Sequence, residues 1–170
     1  MLQGSVEELL DQVARRGSWI GGGSVAALSA ALSAALLEKL AHQPALIRRL
    51  RRIRRECAGL VQRDADAFAR VIQATRAKDH RAFQRTLKAA IEIPVRVFEH
   101  ARAVQAACRQ ARRAVNPRFH SDLRCVDTLS AAAEAASSGF ITTNLAWLND
   151  RAHARRVRFR LRAAARQYGR

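Results

Sequence analysis

Alternation of β-branched and polar residues, the signature of a half-buried strand, is missing from this chain, so nothing in the sequence argues for a sheet. Proline is scarce: Pro44, Pro94 and Pro117 are the only points where helix propagation is obstructed. The three cysteines, Cys57, Cys108 and Cys125, form no CxxC pair. That excludes a disulfide scaffold and a zinc knuckle, and it predicts a reducing compartment. Histidines are few and show no HExxH spacing, so no metal site is expected. Aromatic residues make up 5% and do not interleave the basic runs, which argues against a single-strand stacking platform. The stretch from Met1 to Glu8 lacks the pattern of a signal peptide. The longest apolar stretch, Val25–Leu37, is broken by serines and too short to span a bilayer. A cytoplasmic protein without a membrane partner is the expectation.

What is abundant points one way. Alanine, leucine, arginine and glutamine are good helix formers, and a hydrophobic fraction of 49% in 170 residues is enough for one core. The chain therefore reads as a single all-α domain over residues 1–170. The formal net charge is +17, almost all from arginine, with concentrations at Arg48–Arg55 and Arg151–Arg166. Such a field favours anionic partners: a small polyanion, nucleic acid or acidic lipid. A solvated arginine surface is the plain alternative.

Ser5-Val6-Glu7-Glu8 spells a capping box for a first helix reaching about Arg16, before Gly17. A second helix, Ser24 to His42, is apolar nearly all round, as the centre of a bundle requires. Pro44 opens a long third helix to about Arg76, with Leu46, Leu50, Ile53, Cys57, Leu60, Asp64, Phe68 and Val71 on one face. After a turn at Lys78-Asp79-His80 a fourth helix runs to Pro94, which either kinks it or begins a fifth ending near Val115. Asn116-Pro117 is a break. Ser121 then caps a helix whose face reads Asp122, Val126, Leu129, Ala133, Ala136, Phe140 and Thr143, and a basic final helix ends near Tyr168. Six or seven helices in an up-and-down bundle are expected.

Two carboxylates fall on apolar seams, Asp64 and Asp122. A buried acid is costly unless paired or put to use, and burial raises its pKa toward the range of a working acid or base. A structural ion pair explains Asp64 as well, and helix capping explains Asp122. The turn Gly21-Gly22-Gly23-Ser24 opens the apolar second helix, and a glycine turn at a helix N-terminus can seat a carboxylate or oxo group. It lacks the lysine of a P-loop. Asn144, late on the same helix as Asp122, offers donor and acceptor together to a heterocycle.

Taken in order, these segments resemble the formimidoyltetrahydrofolate cyclodeaminase/methenyltetrahydrofolate cyclohydrolase family. The matching pieces are Gly21-Gly22-Gly23-Ser24-Val25-Ala26-Ala27-Leu28, Arg63-Asp64-Ala65-Asp66-Ala67-Phe68, Ile93-Pro94-Val95, Asn116, Ser121-Asp122 and Thr143-Asn144-Leu145. The resemblance implies a homodimeric helical bundle that binds a tetrahydrofolate derivative and needs no metal or other cofactor. It implies either closure of 5-formiminotetrahydrofolate to 5,10-methenyltetrahydrofolate with loss of ammonia, or hydration of the methenyl bridge. On that reading Asp64 and Asp122 are the catalytic acids, and Gly21, Gly22, Gly23, Ser24, Asn116, Ser121 and Asn144 bind substrate. Ile20 stands where the family usually has proline, and Phe140 where it often has asparagine. A binder of the same fold without catalysis is the second expectation, and an arginine-rich nucleic-acid-binding protein ranks last.

Overall fold

The computed structural model describes residues 5–169. Among them are six α-helices and no strand: α1 (Val6–Ala14), α2 (Gly22–Leu40), α3 (Pro44–Arg76), α4 (His80–Ala111), α5 (His120–Ala146) and α6 (Arg151–Tyr168), with a short 3-10 turn at Pro117–Phe119. The capping box forms as its sequence spells. The Glu8 amide donates to the Ser5 hydroxyl at 3.1 Å, and the Ser5 amide donates to the Glu8 carboxylate at 2.8 Å. Gly17 follows with φ +81°, a conformation that suits glycine. Asp79 and Asp150 cap α4 and α6 in the same manner, each accepting an amide three residues on.

Helix α2 lies at the centre, against α3, α4 and α5. Its buried face is mostly alanine (Ala26, Ala27, Ala30, Ala31, Ala34), so neighbouring backbones can approach closely. Polar ties fix the directions. Glu38 near the end of α2 takes Arg51 and Arg54 from the first half of α3, while Ser24 at its start reaches Val61 and Asp64 further along. The two helices are thus antiparallel. Glu134 of α5 accepts from Arg102 and Gln105 of α4. Helix α6 runs parallel to α4, with Lys88 on Asp150 and Arg160 gripping Glu92 and Glu99. Leu50, Leu60, Leu37 and Val104 fill the main core; Ile91, Ile141 and Val157 fill a second one under α6.

Four expectations are corrected. Pro94 begins no fifth helix: of its two readings only the one that keeps the helix continuous stands, since Pro94 sits inside α4. Ser121 does not cap α5. The helix starts at His120 with Phe119 before it, because Asn116 caps the 3-10 turn through the Arg118 amide and that turn feeds straight into the helix. The buried face of α5 is Leu123, Val126, Ser130, Ala133, Ser137, Ile141 and Leu145, which leaves Asp122 half-buried beside it and Phe140 and Thr143 exposed. Buried serines explain the offset, since the Ser130 hydroxyl satisfies itself on the Val126 carbonyl at 2.8 Å and needs no water. Helix α2 also begins at Gly22, two residues ahead of the expected start. At 19 residues it is long and apolar enough to cross a bilayer by length and composition, yet half of it is buried within the bundle.

Candidate active site

The first turn of α2 meets the middle of α3. Ser24 is buried at 1% exposure, and its hydroxyl lies 3.0 Å from Asp64 Oδ2 and 2.9 Å from the Val61 carbonyl. The Ser24 backbone amide also donates to the Asp64 carboxylate. A Cβ at Gly23 would stand 2.3 Å from Asp64 Oδ1, so only glycine lets the carboxylate lie against the helix start. The anion seat foreseen at the glycine turn is therefore occupied by the protein's own acid. Burial pushes the Asp64 carboxyl above its ordinary value of 3.8, while the two hydrogen bonds from Ser24 pull it part of the way back. The single proton of the Ser24 hydroxyl can go to Val61 when Asp64 is protonated and to Asp64 when it is ionised. Both states of the acid thus have a partner.

Asp64 faces a cavity of about 240 Å³ framed by α2, α3, α4 and α5. Gly21, Gly22, Gly23 and Asn144 also line it, and among the described residues Asp64 is its only ionisable wall. In a chain of net charge +17 that is a selective exclusion of cations. Trp19, Phe68 and Phe140 supply aromatic walls, and Trp19 meets Phe68 edge-on with ring centroids 6.0 Å apart. The Phe140 ring lies over Gly22, where a Cβ would come within 2.7 Å of its Cζ. Pro94 and Ala90 line the cavity together. Lacking an N–H, Pro94 cannot satisfy the Ala90 carbonyl one turn back, which leaves an acceptor available beside the cavity. A second hollow of about 410 Å³ opens roughly one turn further along α3, α4 and α5, past Phe83 and Trp147, and Lys78, Asp79 and His80 line it.

Five of the predicted positions, Gly21, Gly22, Gly23, Asp64 and Asn144, converge on this cavity, and Ser24 underlies it. The other three do not join them within one chain. Asn116, exposed, caps the 3-10 turn; Ser121 is exposed and Asp122 half-buried in the first turn of α5. From Asp122 to Phe140 is about 27 Å along the helix axis at 1.5 Å per residue. Sequence reasoning missed Trp19, Phe68, Ala90 and Pro94 as cavity residues. The signal for Pro94 was present, since a proline within an otherwise unbroken helical pattern marks a freed carbonyl. No cluster of three or more His, Cys, Asp or Glu placed to hold a metal occurs among the described residues.

Residues 5–163 match the family model for formiminotransferase-cyclodeaminase. The chain belongs to that family. A crystal structure of formiminotetrahydrofolate cyclodeaminase from Thermotoga maritima superimposes with a TM-score of 0.85 at 22% identity, covering 98% of this chain and 91% of that one. It shows this chain to share that helical fold. No curated protein matches.

Proposed function

We propose that this chain works on a one-carbon unit carried by tetrahydrofolate, with Asp64 as its acid–base group. The reading is carried by one observation: a half-buried carboxyl with a raised pKa, held by Ser24, is among the described residues the sole ionisable wall of an aromatic cavity. A ring-closing cyclodeaminase needs such a group. The N10 lone pair adds to the carbon of the protonated formimino group (N5–CH=NH2+) of 5-formiminotetrahydrofolate while Asp64 takes the N10 proton. Asp64 then returns that proton to the formimino nitrogen, the carbon–nitrogen bond breaks, and ammonia leaves. The charge is positive before and after, so a carboxylate among aromatic faces suits both ends of the reaction. Asn144 and the Ala90 carbonyl offer complementary groups to the polar edge of a pterin. The cavity is small for a whole folate, and the adjoining hollow offers a course for the glutamate tail past Lys78 and His80, with the Asp79 carboxylate there engaged in capping α4. Methenyltetrahydrofolate hydrolysis would use the same acid with water as nucleophile.

The test is direct. Adding the protein to 5-formiminotetrahydrofolate should raise the absorbance of the methenyl product, and adding it to methenyltetrahydrofolate reports the hydrolytic alternative. Absence of both reactions in well-folded protein would remove the enzymatic reading. A second reading, binding without chemistry, is favoured by Phe140, whose ring covers Gly22 where the resemblance expects a polar side chain. It is distinguished by thermal stabilisation on adding folate with no turnover.

Dimerisation belongs to the same proposal. Val25 and Leu32 stand 39% and 51% exposed on α2, in line with half-buried Leu36. Helix α5, which packs against α2, carries an exposed strip of small residues at helical spacing: Thr128, Ala132, Ala135 and Gly139. A two-fold contact on this face, with the two α5 helices antiparallel, brings the Asp122 end of one protomer toward the cavity end of the other. That arrangement gives Asp122, Ser121 and Asn116 a place in a shared site.

A further inference from the structure

Beyond the folate cavity, we infer that the outer face of α6 is a docking surface for the phosphodiester backbone of duplex DNA. At 100° per residue, Arg151, Arg155, Arg158, Arg162 and Arg166 fall within an arc of about 80°. They form one seam about 22 Å long, opposite the buried residues His153, Val157 and Ala164. All five side chains are exposed, and none has an ion-pair partner among the described residues. The contrast lies within the same helix, where Arg160 on the inner side is held by Glu92 and Glu99. From Arg151 to Tyr168 the helix carries no acid at all.

Such a seam works against the helix that bears it. Like charges three and four residues apart repel, and Arg151 sits in the first turn, where the helix dipole disfavours a cation. The longer α3 shows what an ordinary solvated face looks like: Arg48, Arg52 and Arg55 share an exposed face with Gly59, Gln62 and Asp66. A rigid line of guanidinium groups at intervals of about 6 Å complements a DNA duplex, which presents a negative charge about every 1.7 Å of its axis. The seam has no Asn or Gln to read base edges, so it would contact phosphates without sequence preference. Lipid is a poorer match. The apolar face of α6 is spent on the bundle, and Phe159 is the only large apolar side chain that the helix exposes, at 66%. Aromatic interleaving matters for single strands and not for a duplex backbone.

The experiment measures fluorescence anisotropy of labelled 20-bp duplexes, DNA in one arm and RNA in the other, against the full chain at 50–200 mM salt. Five phosphate contacts give a log–log salt slope of about −4.5, so affinity should fall about 500-fold over that range. Replacing all five seam arginines by Gln should abolish binding, and replacing them by Lys should keep it. Arg158→Gln alone should lower the slope by about 0.9, which preserves the test should the fivefold variant fail to fold. The charge-matched control replaces Arg48, Arg52, Arg55, Arg63 and Arg70 by Gln and should retain the slope. Tighter binding to the RNA duplex than to the DNA duplex would overturn the assignment to DNA. Equal loss in seam and control variants, no duplex binding at 50 mM salt, or tighter binding to anionic phospholipid vesicles than to either duplex would overturn the inference.

Discussion

At Asp64 the energetics and the chemistry oppose each other, and substitution should separate them. Its carboxyl pKa is raised in the fold by burial, so the folded chain holds that proton more tightly than the unfolded chain does. The associated stability is fully present below the ordinary carboxyl value of 3.8 and is lost as pH rises through the raised folded value. Asp64→Asn escapes this loss while keeping a partner for Ser24. Its melting temperature should therefore gain on the native chain as pH climbs from acid toward neutrality, and turnover should fall about 10²–10⁴-fold. A pH-independent difference in melting temperature would deny the raised pKa. Pro94 invites the complementary test. Proline inside a helix costs about 3 kcal/mol relative to alanine, and Pro94→Ala restores the bond to the Ala90 carbonyl. The variant should be more stable by about 1–3 kcal/mol in denaturant titration, yet bind folate more weakly, because the freed acceptor is gone. Greater stability with unchanged affinity would mean that Pro94 has no part in the site.

Among the elements, α2 and α5 carry the sharpest expectation about assembly. Placing Asp at Leu32, which is 51% exposed and in contact with solvent in the isolated chain, should barely alter protomer stability while abolishing a dimer built on this face. Light scattering coupled to size exclusion reads the mass, and a dimer surviving Leu32→Asp would move the interface elsewhere. The same helices show what sequence could reveal. Helix α3 was legible to its ends because Pro44 starts it and its apolar spacing persists for 33 residues. Asp64 stood out because one polar side chain interrupts that face. Helix α5 was read with its face turned too far toward Phe140, because hydropathy counts Ser130 and Ser137 as outward when both are buried. That misreading promoted Asp122 to the core. The cavity itself was only half visible. The Gly23–Asp64 contact joins residues 41 positions apart, and no local spacing announces it.

For the whole molecule the dominant quantity is its charge. Fourteen acids face 31 lysines and arginines, and six of those acids, Glu38, Glu56, Glu92, Glu99, Glu134 and Asp150, already hold cations. The unmatched arginines are most numerous on α3 and α6, so self-repulsion is distributed along the bundle. Salt acts on both signs of interaction. It weakens the ion pairs, but exposed pairs contribute only about 0–1 kcal/mol each. It also screens repulsion between like charges further apart, since the Debye length shrinks from about 30 Å at 0.01 M to about 8 Å at 0.15 M. With cations outnumbering acids more than twofold, the repulsive contribution should prevail. The melting temperature should then rise between 0.01 and 0.15 M sodium chloride, and Gln at the five seam arginines of α6 should shrink that rise. A melting temperature that falls with salt would mean that the Arg160, Arg102 and Glu38 pairs outweigh the surface field, and the unmatched charge would no longer require an anionic partner to explain it.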